Sequence, residues 1–320
     1  MELYEEEAEH LGPEFDTTRH ACRTAILTSP ALHHLAHYSS GVFDFGVDVL
    51  GDPPPPPGAL PGGTRREELK RLGRHLTFQV AALDRSLQEA RTGRLIRVVL
   101  HTEEGALFCD SVVPTQHVVG LVLDHAGAGP LLGHPAVDEA DRAVAGLATR
   151  LRAELSLGSL NPGGWETADR AAALPAESDV EPHVSVGEGA LTPCLSAVRA
   201  RDLHVVAHVV DGEVRAMVDC LGDPSLAPFF KQVTVEARQR FYQGFVPELG
   251  ALATKLNRAV APVVGGRLVR LVLDVEMGAV YYYRQRAGEY LVGVTIDQSR
   301  VGPAESRMSA LSAELTPPGP

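Results

Sequence analysis

Two pairs of histidines are the residues of this 320-residue chain best suited to chemistry. His33 and His37 are four positions apart, and His204 and His208 repeat that spacing. Imidazole nitrogens ligate zinc, copper and iron, so each pair is a candidate half of a metal site. On a strand, however, side chains four positions apart lie roughly 13 Å from each other, too far to share one ion. We therefore expect structural histidines, with metal binding by these four residues as the alternative.

The other chemical motifs are weaker. A glycine-rich segment at 127–133 resembles a phosphate loop, but its glycine spacing does not fit the dinucleotide fingerprint and Pro130 removes one amide donor. The signatures GxSxG, HExxH and GxxxxGK[ST] do not occur. Repeated aspartates at strand ends fit turn and capping roles better than catalysis: Asp48, Asp124, Asp219 and Asp297. We predict no enzymatic activity, no cofactor and no metal site.

An internal duplication determines where all these residues lie. Residues 93–100 (GRLIRVVL) recur as residues 266–273 (GRLVRLVL), and the alignment continues without a gap through the pair Glu103 and Glu276. Further matches extend the repeat over most of the chain. A unit of this size indicates two globular domains rather than a solenoid.

Reading the two copies together predicts their elements. Residues 203–210 are rich in β-branched side chains and run into Asp211-Gly212, a hairpin signal, so the matching residues 32–39 are predicted to be a strand as well. A long helix follows the second strand and starts with a capping box at Thr64 and Glu67. Three strands and a closing helix complete each copy. The predicted fold class is α+β, as two tandem copies of an α-β-β-α-β-β-β-α unit with a five-stranded, largely antiparallel sheet.

Composition shifts predict the domain boundaries. We expect an acidic N-terminal tail at 1–15, the first repeat at 16–156, a linker at 157–189 and the second repeat at 190–316. The proline run at 53–57 is predicted to be a stiff surface loop, with docking on an aromatic groove as the alternative.

The net charge and the cysteine spacing indicate which classes of partner and which cellular compartment to expect. A formal net charge of −12 argues against nucleic acid as a partner. The four cysteines form no CxxC pair, so reduced and mostly buried thiols are expected. With no signal peptide and no apolar run long enough to span a membrane, we expect a cytoplasmic protein that does not associate with membranes.

The element order, with an acidic residue followed by glycine in the turn between the third and fourth strands of both copies, resembles the roadblock/dynein light chain superfamily. The resembling stretches are 32–52, 64–124 and 144–155, with their partners in the second half. The resemblance implies a module without catalytic activity that pairs its long helices and joins two sheets edge to edge through their third strands. Fused copies would then form an intramolecular pseudo-dimer with a joined antiparallel sheet.

Bacterial members of this superfamily bind small Ras-like GTPases, so the resemblance implies a regulator or scaffold for such a GTPase. The protein would be a monomer with an internal pseudo-two-fold, or a homodimer. The candidate partner-binding residues are Arg74, Arg85, Arg238, Arg258 and Tyr282. One alternative is a small acidic chaperone of the secretion-chaperone or YbjN-like type, which a strand at 229–235 would favour. An enzyme or metal-binding protein is the remaining class.

Overall fold

The computed structural model describes residues 2–51, 64–123, 135–160 and 181–316 and has two compact units. One unit comprises Met1–Leu83, Ile96–Leu160 and Lys255–Leu268, and the other comprises Asp84–Leu95, Asn161–Thr254 and Val269–Pro320. Each unit thus contains most of one sequence repeat together with a short segment of the other. We call them unit 1 and unit 2 and describe each by itself.

The first repeat follows the predicted order and forms the sheet of unit 1. Its elements are β1 (Tyr4–Glu7), α1 (Asp16–Thr28), β2 (His34–Ser39), β3 (Val42–Asp48), α2 (Arg65–Leu87), β4 (Leu95–Thr102), β5 (Gly105–Val113), β6 (Gln116–Leu123) and α3 (Pro135–Glu154). The strands are antiparallel in the order β1-β3-β2-β6-β5-β4. Helix α3 packs on β5 and β6, and α1 packs beside α3.

The second repeat has the same order in unit 2. Its elements are β7 (His183–Gly187), α4 (Leu191–Ala197), β8 (Val205–Val210), β9 (Glu213–Asp219), α5 (Val235–Val260), β10 (Leu268–Val275), β11 (Gly278–Arg286), β12 (Glu289–Thr295) and α6 (Val301–Leu315). The antiparallel strand order is β7-β9-β8-β12-β11-β10. The α+β class is therefore confirmed, and in each repeat the predicted helices and strands follow one additional strand.

The predicted five-stranded sheet is wrong by one strand in each unit. Strand β1 lies in the segment predicted to be an acidic tail and pairs with β3, and β7 lies in the predicted linker and pairs with β9. The consecutive glutamates of β1 carry no strand signature. The five residues of β7, HVSVG, do alternate polar and apolar side chains, but they lie in a stretch whose Gly, Pro and acidic content indicated a linker. Both strands form because the outer strand of a hairpin has unpaired backbone N–H and C=O groups, and any extended segment can form hydrogen bonds with them.

The predicted helix start and helix stripe are confirmed. The Thr64 amide donates to Glu67 Oε2 at 2.8 Å and the Glu67 amide donates to Thr64 Oγ1 at 3.2 Å, which is a complete capping box. The stripe residues of α2 are all buried: Leu69, Leu72, Leu76, Val80, Leu83 and Leu87. Helix α5 runs through Pro247 without interruption. No helix within the described ranges is both long enough and apolar enough to cross a membrane.

Several predictions concern residues outside the described ranges: the proline run at 53–57, the glycine-rich segment at 127–133, and Asp124. The four cysteines are unpaired and buried, as expected. Burial raises the pKa of Cys22, Cys194 and Cys220 to about 12, so these thiols are protonated at neutral pH.

Candidate functional site

The first histidine of each pair accepts a hydrogen bond from a backbone amide. His33 Nδ1 accepts a hydrogen bond from the Leu123 amide at 3.0 Å, and His204 Nδ1 accepts one from the Ile296 amide at 3.0 Å. His204 Nε2 also lies 3.0 Å from the Ala200 carbonyl oxygen. Burial lowers the pKa of His204 to about 4, so the ring is neutral and can accept from one amide while donating to a carbonyl.

The second histidine of each pair contacts a carboxylate. His37 Nδ1 lies 2.7 Å from Asp44 Oδ2, and His208 Nε2 lies 2.9 Å from Glu289 Oε1. The His37 ring is also stacked on Phe45. Among the described residues no group of three or more His, Cys, Asp or Glu side chains could hold a metal ion. These contacts favour structural roles for the histidines over metal binding.

Asp44 is the centre of a buried polar cluster that sequence reasoning missed. Its carboxylate accepts from Ser39 Oγ at 2.7 Å and contacts His10 Nε2 at 2.9 Å, in addition to His37. Burial alone would raise the pKa of Asp44, but the hydrogen bonds from His37, His10 and Ser39 outweigh it and lower that pKa. No sequence signal could have found the cluster, because His10 lies in the segment read as a tail.

The repeated aspartates at the ends of β3 and β9 have the predicted turn role and a second contact each. Asp48 accepts from the Leu50 amide at 3.1 Å, and Asp219 accepts from the Leu221 amide at 3.1 Å. Asp48 is also bound by Arg66 through two hydrogen bonds, whereas Asp219 is bound by a Gln239 amide at 3.0 Å. In the second repeat, Asp297 caps a short 3-10 helix by accepting from the Ser299 amide at 2.9 Å.

A cavity of about 220 Å³ opens between β1 and the first turns of α2. Two of the three basic side chains at this place, Arg66 and Lys70, are paired within unit 1. Lys70 Nζ lies 2.6 Å from Glu6 Oε1, and the Arg66 guanidinium lies 3.8 Å from the centre of the Tyr4 ring. The cavity is lined by Tyr4, Glu6, Thr64, Arg65, Arg66, Glu67 and Lys70. Lys70 and Arg66, which line the cavity, thus already contact residues of β1.

Three of the five candidate partner-binding residues lie on the surface. Arg74 and Arg85 are exposed on α2, and Arg258 is exposed on α5. Arg74 and Arg85 share one face of α2 with Phe78 and Ala81, since the four positions follow a helical spacing of four, three and four residues. All four side chains are exposed, and 58% of the Phe78 side-chain surface is accessible. We call Arg74, Phe78, Ala81 and Arg85 the α2 outer face.

Sequence reasoning missed Phe78, although a signal was present. Phe78 lies two positions from both Leu76 and Val80 of the buried stripe, which places it away from the core side of the helix. An aromatic residue between two arginines on the polar face of one helix combines residue types that are enriched in protein interfaces. On α5 the positions corresponding to Phe78 and Ala81 hold Ala251 and Thr254, so the aromatic feature is specific to the first repeat.

Arg238 was predicted to contact a partner, and the structure corrects this. It is 1% exposed, its Nε donates to the Ala90 carbonyl oxygen at 3.1 Å, and its guanidinium lies 4.7 Å from the centre of the Phe230 ring. Burial lowers its pKa. The helical phase explains the position, because Arg238 is four residues before Tyr242 and therefore belongs to the buried stripe of α5.

Tyr282 is also buried rather than on the surface. Its ring centre lies 4.8 Å from that of Tyr290, and burial raises its pKa to about 12. Tyr281 and Tyr283 point to the opposite face of β11 and bind α6 residues, with Tyr281 Oη donating to the Val301 carbonyl oxygen at 2.8 Å. Both faces of β11 are therefore covered, and this aromatic strand packs the core.

Comparisons with known proteins find solved structures that resemble part of this chain at low sequence identity. No protein-family profile matches the chain, and no curated protein matches it. A solved structure described as MglB with tetrameric arrangement is 19% identical, with 45% of this chain and 93% of that chain covered and a TM-score of 0.32. Gliding protein MglB from Thermus thermophilus is also 19% identical, with 42% and 92% covered and a TM-score of 0.27. These values are too low to assign a family or a function.

Proposed function

We propose that this chain is a fused pair of roadblock-like copies that acts in the cytoplasm as a non-catalytic regulator or scaffold of a small Ras-like GTPase. The α2 outer face carries the proposal. It places an exposed aromatic side chain between two arginines on one rigid helix, and aromatic residues and arginine are the types enriched where proteins bind each other. The proposal is also supported by the helices and strands that follow the first strand of each repeat, which occur in the order that the resemblance to the roadblock superfamily implies.

The structure gives the chaperone alternative no support. A strand at 229–235, before the second long helix, would have favoured that alternative. Instead Phe229 and Phe230 belong to the 3-10 helix Pro224–Phe230, and α5 begins at Val235. The 3-10 helix starts at Pro224 because Asp223 caps it, accepting a hydrogen bond from the Ser225 amide at 2.8 Å.

The test uses each Ras-like GTPase encoded in the same genome, purified and loaded with GDP or with a non-hydrolysable GTP analogue. Binding to the full chain is measured by biolayer interferometry, and hydrolysis and nucleotide exchange are measured with and without the chain. We expect one GTPase to bind in one nucleotide state at least about tenfold more tightly than in the other. If no such GTPase binds in either state, the GTPase assignment is wrong.

Matched variants test the surface separately. Phe78→Ser and Arg85→Glu should each weaken binding about tenfold or more, because they remove the aromatic anchor or reverse a rim charge. Leu27→Ser on α1 and Arg240→Glu on α5 alter equally exposed side chains of similar types elsewhere and should change binding less than about twofold. Unchanged binding by the first pair would exclude the α2 outer face as the contact.

A further inference from the structure

Strand β1 has a sequence that does not favour a strand, yet it pairs with β3. Three of its four residues are consecutive glutamates, and glutamate is depleted in strands. Tyr4 lies opposite Asp48 and Glu7 lies opposite Phe45, and the pairing continues with the Ala8 amide, which donates to the Asp44 carbonyl oxygen at 2.8 Å. Something other than strand propensity must hold this segment.

On one face of β1 the partners come from α1. Glu5 Oε1 accepts from Arg23 at 2.7 Å, and Glu7 accepts from Arg19. Alternate residues of a strand point to the same face, so the two glutamates reach two arginines spaced one helical turn apart.

On the other face the partners come from α2. The Arg66 guanidinium lies over the Tyr4 ring, and Lys70 contacts Glu6. Every residue of β1 therefore meets one basic side chain, two from each helix. The edge of β3 with Arg19, Arg23, Arg66 and Lys70 is a groove whose charge selects an acidic extended segment; we call it the β3 groove.

The occupant is weakly held. Ion pairs between partly exposed side chains contribute about 0–1 kcal/mol each, and four residues add few backbone hydrogen bonds. The acidic strand can therefore leave at much lower cost than a core strand, since local opening free energies range from about zero to the global value.

The corresponding strand in unit 2 is different in kind. Strand β7 has the sequence HVSVG and contains no acidic residue. Its contacts with α5 are amide and hydroxyl contacts, such as Gln243 Nε2 with Ser185 Oγ at 3.2 Å. The acidic selectivity is thus a property of unit 1 alone, which makes the unit 2 edge an internal control.

We propose that the β3 groove is a docking site for an acidic, extended segment of a partner protein, and that β1 is a built-in occupant which this segment replaces. The backbone of β3 supplies affinity for any extended chain, as in other cases of strand addition. Arg19, Arg23 and Lys70 supply the preference for acidic sequence, and Arg66, which is paired with Asp48, supplies a surface for an aromatic ring. This inference goes beyond the proposed function and does not depend on whether the partner is a GTPase.

The test uses a fluorescent peptide with the sequence of residues 2–9 and the full chain. In the release variant Glu5→Lys/Glu7→Lys, repulsion from Arg19 and Arg23 opens β1. We expect the peptide to bind this variant about tenfold or more tightly than the wild type, and to lose most of that affinity in about 0.5 M NaCl. Equal binding to the two proteins would overturn the proposal.

Two controls separate strand addition from simple charge attraction. A peptide with Tyr4→Pro and Ala8→Pro keeps every glutamate but loses two amide donors, so it should not bind. Adding Lys70→Glu, which faces Glu6 and leaves the repulsion from Arg19 and Arg23 in place, should weaken peptide binding to the release variant about tenfold or more, whereas adding Arg240→Glu should not. Equal binding of the proline peptide would overturn strand addition. A wild-type dimer that the peptide dissociates would make a second copy the occupant instead.

If the release variant does not fold, hydrogen exchange of the wild-type chain tests whether β1 opens locally. The Ala8 amide, which donates to the Asp44 carbonyl oxygen, should exchange about 100-fold or more faster than the amides of residues 35–38 in β2, and faster still in about 0.5 M NaCl. Equal protection of the two strands would show that β1 is a permanent part of the sheet and would overturn the proposal.

Discussion

Arg66 holds the carboxylate of Asp48 at two points, with Nε 2.8 Å from Oδ2 and a terminal nitrogen 2.9 Å from Oδ1. Asp48 is only 2% exposed, and burial alone would raise the pKa of its carboxyl group. The hydrogen bonds from Arg66, together with the His34 ring 3.8 Å away, outweigh burial and lower that pKa from 3.8 to about 2. The pair thus keeps a buried carboxylate charged where β3 ends.

This pair predicts a specific acid sensitivity. Because the pKa of Asp48 is lower in the folded state, its contribution of about 1–2 kcal/mol is complete above about pH 4 and is lost as the pH falls toward 2. Arg66→Met should destabilise the chain by a similar amount at neutral pH and by less near pH 2.5. Urea unfolding at the two pH values measures this. Arg286→Met, which removes the 61% exposed partner of Glu289, is the control and should show a smaller pH dependence. A constant effect of Arg66→Met would contradict the assignment.

The close approach of Tyr38 to Gly73 predicts a steric effect. Tyr38 is fully buried under α2, and a Cβ atom at position 73 would overlap its hydroxyl group. Gly73→Ala should therefore cost about 1–3 kcal/mol, although alanine is the better helix former. Gly146→Ala on α3 has open space at its Cβ and should stabilise the chain by about 0.5–1 kcal/mol. Thermal unfolding of both variants checks the contrast, and a stabilising Gly73→Ala would contradict it.

Sequence predicts best the elements whose signal is local. The hairpin turn at Asp211-Gly212 is confirmed, with φ of 52° and 80°, and its counterpart Ser40-Gly41 has the same left-handed backbone. These turns need φ above zero at both positions, and Gly is the residue that adopts it most easily. The apolar stripe of α2 could be predicted for the same reason, because all of its residues lie in one continuous segment of the sequence.

Other features depend on residues far apart in the chain. Strand β1 is stabilised by Arg23 on α1 and Lys70 on α2, so its own sequence could not reveal it. The misplaced Arg238 is a different case. Charge suggested exposure, but its helical phase with Tyr242 already indicated burial, whereas Arg74 lies off the stripe. Phase is the better guide to exposure on an amphipathic helix.

The buried ion pair between Arg97 of β4 and Asp141 of α3 predicts strong coupling. Both side chains are almost fully buried, 3% and 1% exposed. Removing one partner breaks this ion pair inside the core, so Arg97→Met and Asp141→Leu should each cost about 3–5 kcal/mol. The double variant should regain most of that loss, because two apolar side chains of similar size can fill the site. Urea unfolding of the four proteins in a double-mutant cycle measures the coupling, and additive losses would contradict it.

The buried position of Arg238 predicts a loss of stability rather than a loss of partner binding. Arg238→Met keeps the apolar stem but removes the donor to the Ala90 carbonyl oxygen, so unfolding should become easier by about 1–3 kcal/mol. Arg258→Met lies on the exposed side of the same helix and should change stability by less than about 0.5 kcal/mol. Urea unfolding compares the two variants. If Arg238→Met is as stable as the wild type, or weakens partner binding while folded, then Arg238 belongs to a contact surface after all.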